Sequence, residues 1–153
     1  MLGAAVAQGM AGIDYLRAIL REEIPPPPIA LTLGFKLEEV AEGRALFTIE
    51  PGEHHYNPIG LVHGGVLATL LDSAMGCAIH SKLPAGSGYA TVDLNVHFVR
   101  AVTRDTPRLR CESELLHLGG RIATASGRVV DEAGKLYAHA TTSCLVIHQE
   151  KPR

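Results

Sequence analysis

The sequence predicts an α+β fold in which a six-stranded antiparallel sheet wraps around one long central helix, preceded by a short N-terminal helix. Three observations carry this. Apolar residues between Val62 and His80 recur at helical spacing over most of the circumference. Residues Thr91 to Phe98 alternate polar and apolar with a period of two, as a strand with one covered face does. Further β-rich runs, separated by glycine-containing turns, flank both segments without an internal repeat. At 153 residues, 46% hydrophobic and 20% charged, the chain is long enough to bury a good core and too apolar to be disordered. Residues 1–28 read as a helix with a proline spacer, 29–148 as the domain proper and 149–153 as a tail.

The elements follow in order. Met1 to Met10 is small and apolar, but it lacks a basic opening and runs into Asp14, Arg17 and Arg21, which argues against a secretion signal. Ile13, Leu16, Ile19 and Leu20 sketch a short amphipathic helix, stopped by Pro25 to Pro28, whose run is expected to act as a stiff spacer. Phe35 to Val40 and Arg44 to Glu50 form a hairpin around the Ala41-Glu42-Gly43 turn. Asn57 to Gly60 leads into the central helix and Pro84 to Gly88 leads out of it. Along that helix, Val62, Val66, Leu70, Ala74 and Ala78 make one apolar row, and Leu67, Leu71, Met75 and Ile79 make another. The remaining strip, Gly65, Ala68, Thr69, Asp72, Ser73 and Gly76, is small apart from its one acid, which suits close approach by another backbone or a second chain. In the next strand, Val92, Leu94, Val96 and Phe98 form the apolar face. Thr91, Asp93, Asn95 and His97 form the polar one, so Thr91 is expected to point away from the core. Pro107 to His117, Arg121 to Asp131 and Lys135 to His148 complete the sheet. The strand from Ala90 to Val99 reads as an exposed edge that needs cover.

Composition excludes several classes of partner. A net charge of −2 with no Lys/Arg cluster argues against nucleic acid or an anionic membrane surface as the main partner, and no run approaches the ~20 apolar residues that cross a bilayer. Cys77, Cys111 and Cys144 are odd in number and widely spaced, so reduced thiols in the cytoplasm are expected rather than a disulfide framework or a zinc knuckle. No metal is expected either: His54 and His55 are adjacent and should point apart, and no ligand-spaced motif accompanies them. Gly86-Ser87-Gly88 precedes no helix and so makes no phosphate cradle, and Ser126 lacks the first glycine of a nucleophile elbow. Cys77 reads as packing.

The chemistry concentrates in Asn57-Pro-Ile-Gly60-Leu-Val-His63-Gly64-Gly65 and in Asp72. Glycine N–H groups at a helix start approach a carbonyl closely and polarise it with help from the helix dipole. Asp72 is an acid on a helix that otherwise avoids charge, where burial without a partner costs several kcal/mol. It can act as base or as nucleophile. From His63 to Asp72 a helix rises roughly 13 Å and turns through roughly 900°, which leaves the two on opposite faces. The simplest way to put both on one bond is a two-fold dimer that pairs Gly64 of one protomer with Asp72 of the other.

The pattern Asn57…His63-Gly64-Gly65…Asp72, followed by Tyr89-Ala-Thr91-Val-Asp93-Leu-Asn95, closely resembles the hotdog-fold acyl-CoA thioesterases of the phenylacetate-degradation (PaaI-like) type, related to 4-hydroxybenzoyl-CoA thioesterases. The resemblance spans roughly residues 30 to 148. It implies that Asp72 attacks the thioester or activates water, that the Gly64 amide polarises the carbonyl, that Asn57 and His63 position these groups and that Thr91 adds a hydroxyl. Substrate contacts are implied for Gly65, Phe98, Gly119, Gly120 and Arg121. Arg100, Arg104 and Arg121 stand just beyond strand ends, where cations meet coenzyme A phosphates. The implied reaction is hydrolysis of an aryl- or medium-chain acyl-CoA to free acid and coenzyme A. No cofactor is needed, since coenzyme A belongs to the substrate, and homodimers pairing further into homotetramers are implied. Two alternatives stand beside it: a non-catalytic acyl-CoA-binding protein of the same fold, and an acyl-thioester hydratase or dehydratase.

Overall fold

A computed structural model describes residues 9–148, so the first residues of the apolar start and the 149–153 tail lie outside it. Strands β1 (Phe35–Ala41), β2 (Arg44–Ile49), β3 (Ser87–Phe98), β4 (Leu109–Leu118), β5 (Ile122–Asp131) and β6 (Leu136–His148) form one sheet in the order β1-β2-β4-β5-β6-β3. Every neighbouring pair is antiparallel. The sheet wraps helix α3 (Gly64–His80), as the periodicity requires. Leu70, Leu71, Ala74, Met75 and Ile79 of α3 are fully buried against Leu109, Cys111, Ala123, Ala125, Val129, Ala138 and Cys144 of the sheet. Small residues on the inner faces of β5 and β6 let the helix lie close. Each large side chain buried in this way stabilises the fold by about 1.5–3 kcal/mol.

Helix α1 (Gly12–Leu20) forms where its amphipathic pattern places it, but the residues it buries fully are Gly12, Leu16 and Ala18, while Ile13, Ile19 and Leu20 are only half-buried. Backbone contact decides this. A Cβ on Gly12 would stand 1.7 Å from the carbonyl oxygen of His80, so α1 docks its bare glycine directly on the end of α3. The proline run is not wholly a spacer. Pro28 opens a six-residue helix, α2 (Pro28–Leu33), because its missing N–H costs nothing in a first turn, and Gly34 closes that helix with a left-handed φ of 70°.

The larger correction concerns β3. Thr91 stands opposite Cys144 and Asp93 opposite Ser143, leaving Val92 as an extra, unpaired residue. This bulge reverses the side-chain phase. After it, Leu94 and Val96 face inward, as the alternation predicts; before it, Tyr89 and Thr91 face inward too. Thr91 therefore points at α3 instead of away from it, and Val92, assigned to the apolar face, is 60% exposed. As expected, β3 is a sheet edge.

His54 and His55 also depart from expectation, since their rings lie 3.8 Å apart, centroid to centroid, in the Glu53–His55 turn. His55 is structural. Its Nε2 bonds the Leu33 carbonyl at 2.9 Å and its Nδ1 accepts from the Gly52 amide at 3.3 Å, a pairing that fits only the neutral ring. Burial, with His54 as a lesser cause, holds His55 below the ordinary histidine range, and burial alone does the same to His80, whose Nδ1 has no partner. A histidine depressed in the folded state stabilises fully above its unfolded value, and that contribution fades as pH falls through the folded value. The melting temperature is thus expected to hold above about pH 6.5 and to drop as pH falls below it. Scanning calorimetry on either side of that pH checks this, and His80→Phe, which keeps the ring contacts, should flatten the slope.

Candidate active site

The start of α3 is built around His63. Its extended backbone makes it the N-cap, its Nδ1 accepts the Gly65 N–H at 2.9 Å, and its carbonyl accepts the Val66 N–H at 2.9 Å. His63 thereby commits its Nδ1 to capping. The Gly64 N–H finds no acceptor among the described residues and emerges at the positive end of the helix dipole. Asn57 organises the loop before it. Its Oδ1 accepts from the amides of Ile59 and Leu61 at 3.1 Å each, and its own N–H donates to the Leu61 carbonyl at 2.7 Å. That leaves its side-chain NH₂ free to donate elsewhere.

Asn57 and Gly64 share a groove of about 370 Å³ with Leu67, Phe98 and Arg100. The Phe98 ring covers Gly64 so closely that a Cβ there would meet it at 3.1 Å. Arg100 lies over the Tyr137 ring, 5.8 Å from its centroid, and reaches the same groove with no carboxylate in ion-pair range among the described residues. Arg104 is committed elsewhere, to Glu53 and, at 3.8 Å, to Asp105.

Asp72 occupies a second place. It is half-buried on the open strip of α3 beside edge strand β3, and accepts a hydrogen bond from Thr91 Oγ1 at 2.8 Å. The bulge at Val92 is what makes this bond possible. Competing nucleophiles nearby are silenced. Burial pushes the Cys77 thiol up to about 12, and burial likewise raises the Tyr89 phenol well above its ordinary range, the charges of Cys77 and Asp72 adding to this.

The Leu118-Gly119-Gly120-Arg121 turn makes a third place. The Gly119 N–H closes it onto the Ile122 carbonyl at 2.8 Å, and His148 Nε2 lies 3.2 Å from the Gly120 carbonyl. Since Ile122 pairs with Leu145, and Leu145 with Ala90, this turn stands near the start of β3, at the opposite end from Phe98 and Arg100. Gly64 and Asp72, eight residues apart on one helix, are separated by about 12 Å along its axis. One chain therefore brings together Asn57, Gly64, Phe98 and Arg100, joins Asp72 to Thr91, and leaves Gly65 and the Gly119–Arg121 turn outside both groups.

Two residues without any motif support the acid. Cys144 Sγ lies 3.8 Å from Thr91 Oγ1 and 3.9 Å from Thr142 Oγ1, while Thr142 itself donates to the Asp93 carbonyl at 2.7 Å. A parity conflict signals this region in the sequence. Tyr89 and Leu94, five residues apart, cannot share one face of a regular strand, and an extra residue between them resolves it.

Comparison with known proteins places the chain in a family. Residues 59–138 match the thioesterase superfamily. A protein of Halobacterium salinarum bearing the name esterase is 30% identical, over 84% of this chain and 86% of that one. A 1,4-dihydroxy-2-naphthoyl-CoA hydrolase of Listeria monocytogenes is 22% identical, over 69% of this chain and 84% of its own length. Among solved structures, a phenylacetic acid degradation-related protein of Ralstonia eutropha, named as a thioesterase, superposes with a TM-score of 0.77 at 30% identity, covering 86% of this chain and 98% of that one.

Proposed function

Since the chain belongs to the thioesterase superfamily, with the hotdog fold of that family, and is a thioester hydrolase, we propose that it cleaves an aryl- or medium-chain acyl-CoA at a site shared between two protomers. The observation that carries this is the placement of Asp72, held by Thr91 on an open strip next to a free sheet edge and about 12 Å from the Gly64 amide of its own helix. A two-fold axis perpendicular to β3 at its free edge would run two α3 helices antiparallel and set the Gly64 end of one beside the Asp72 of the other. Val92, Phe98 and Val99, at 60%, 53% and 50% exposed, would be covered by the same contact.

In that site the Gly64 N–H, with the Asn57 NH₂ beside it, receives the thioester oxygen and binds it more strongly as negative charge grows there. Asp72 takes a proton from the attacking water or attacks the carbonyl itself. The departing thiolate is a good leaving group, so no strong acid is required, which suits a site with so few polar groups. Arg100 of one protomer and Arg121 of the other would flank the cleft as partners for the coenzyme A phosphates. The names of the Listeria and Ralstonia relatives, one a naphthoyl-CoA hydrolase and the other tied to phenylacetic acid, support an aryl acyl group.

Thiol release from a panel of phenylacetyl, hydroxybenzoyl and medium-chain thioesters tests this reading. Liberated coenzyme A with a preference for aryl substrates is expected. Binding without release would indicate a sensor, and conversion of an enoyl thioester without release would indicate a hydratase.

A further inference from the structure

Thr142 is fully buried in the middle of β6, yet it carries a hydroxyl where its inward neighbours on that strand, Ala138, Ala140, Cys144 and Val146, carry none. Burying a hydroxyl costs about 1–3 kcal/mol unless it is bonded, so its partner matters. That partner is the carbonyl of Asp93, the residue directly after the bulge, which accepts the Thr142 proton at 2.7 Å. Ladder pairing is disrupted at a bulge, and a side-chain donor at this point fixes the local backbone. Holding Asp93 in place also holds Thr91, two residues earlier on the same strand.

A chain of polar atoms connects the two ends. Thr142 gives its proton to Asp93 and Thr91 gives its proton to Asp72, so each hydroxyl oxygen is left as an acceptor. Cys144 Sγ lies between them, 3.9 Å from one and 3.8 Å from the other, and its single S–H can bond either. Each proton in the chain has an acceptor. A regular β3 would turn Thr91 outward, and Asp72 would lose the one side-chain donor it has among the described residues.

We infer that Thr142 is a positioning residue for thioester hydrolysis: it pins the Val92 bulge and, through it, holds Thr91 against the Asp72 carboxylate. This rests on the reading of Asp72 as the reacting acid. Thr142 touches no substrate, so its removal should act on the chemical step and leave binding intact.

The experiment compares steady-state kinetics of Thr142→Val, which is close in shape but cannot donate, with those of Thr142→Ser, which keeps the hydroxyl. The valine variant is expected to lose on the order of tenfold in kcat with KM nearly unchanged, and the serine variant to stay near wild type. In a Thr91→Ala background, Thr142→Val should cost little more, because its effect passes through Thr91. Should the valine protein fail to fold, Thr142→Ala, compared with Thr142→Ser, makes the same test. A full kcat in a folded Thr142→Val or Thr142→Ala variant, or a loss that simply multiplies with that of Thr91→Ala, would overturn the inference. Asp72→Asn separates the two readings: if it retains turnover, the assignment of the acid fails, whereas if it is inactive while Thr142→Val is normal, only the role of Thr142 fails.

Discussion

Asp72→Asn is expected to lower kcat by roughly 10²–10⁴-fold while leaving the fold, the self-association and the affinity for a non-hydrolysable acyl-CoA analogue almost unchanged. The size of the loss follows from how little else the site holds. Cys77 and the phenol of Tyr89 are held neutral by burial, the Nδ1 of His63 is engaged in capping, and the described residues place no second carboxylate on α3. Asparagine matches the shape of aspartate and still accepts the Thr91 hydrogen bond through its carbonyl oxygen, so structure is preserved while basicity and nucleophilicity vanish. Steady-state kinetics with calorimetric titration of the analogue measure both halves of this expectation. A kcat within a fewfold of wild type would remove Asp72 from the mechanism.

Gly64→Pro is expected to cost about 10²–10³-fold in kcat without unfolding the protein. Proline suits this position unusually well. Gly64 is the first residue of α3, where proline is favoured because the N–H it lacks has no helical acceptor. The preceding residue, His63, already has the extended backbone that a following proline demands, with φ −61° and ψ 132°. The Phe98 ring, 3.1 Å from where a Cβ would stand, has to give way. The substitution therefore replaces one amide proton with the ring Cδ at the place where the thioester oxygen is proposed to bind, so the donor is lost and its position filled while the helix start is kept. Gly64→Ala is the control for the ring displacement, since it crowds Phe98 equally but keeps the N–H. Equal losses in the two variants would show that shape, and not the amide, matters at this position.

The sequence disclosed the scaffold because the scaffold rests on periodicity. The rows through Leu70 and Leu71 announced a helix buried on most sides, and the strand runs on either side of it had no other place to go than around it. Asp72 was legible as an acid that apolar neighbours make expensive. Thr91 escapes the alternation for a physical reason: a period-two argument assumes one residue per pleat, and the extra residue at Val92 breaks that assumption without leaving a glycine or proline as a marker. Helix α2 is hidden by four prolines in a row, which suggest a spacer, although the proline at the helix start and the Gly34 at its end form the expected asymmetry. Thr142 and Cys144 were invisible, since their role depends on which strand lies opposite, and register across the sheet is not written in either strand alone.

Mixed dimers test the shared site most directly. Neither parent homodimer is active in this account, because every site in an Asp72→Asn homodimer lacks the acid and every site in a Gly64→Pro homodimer lacks the amide. A heterodimer of the two, isolated by differential tags, has one site with both defects and one with neither. It is predicted to recover about half the wild-type kcat per dimer. A heterodimer as inactive as its parents would place the amide and the acid in the same protomer and contradict the account.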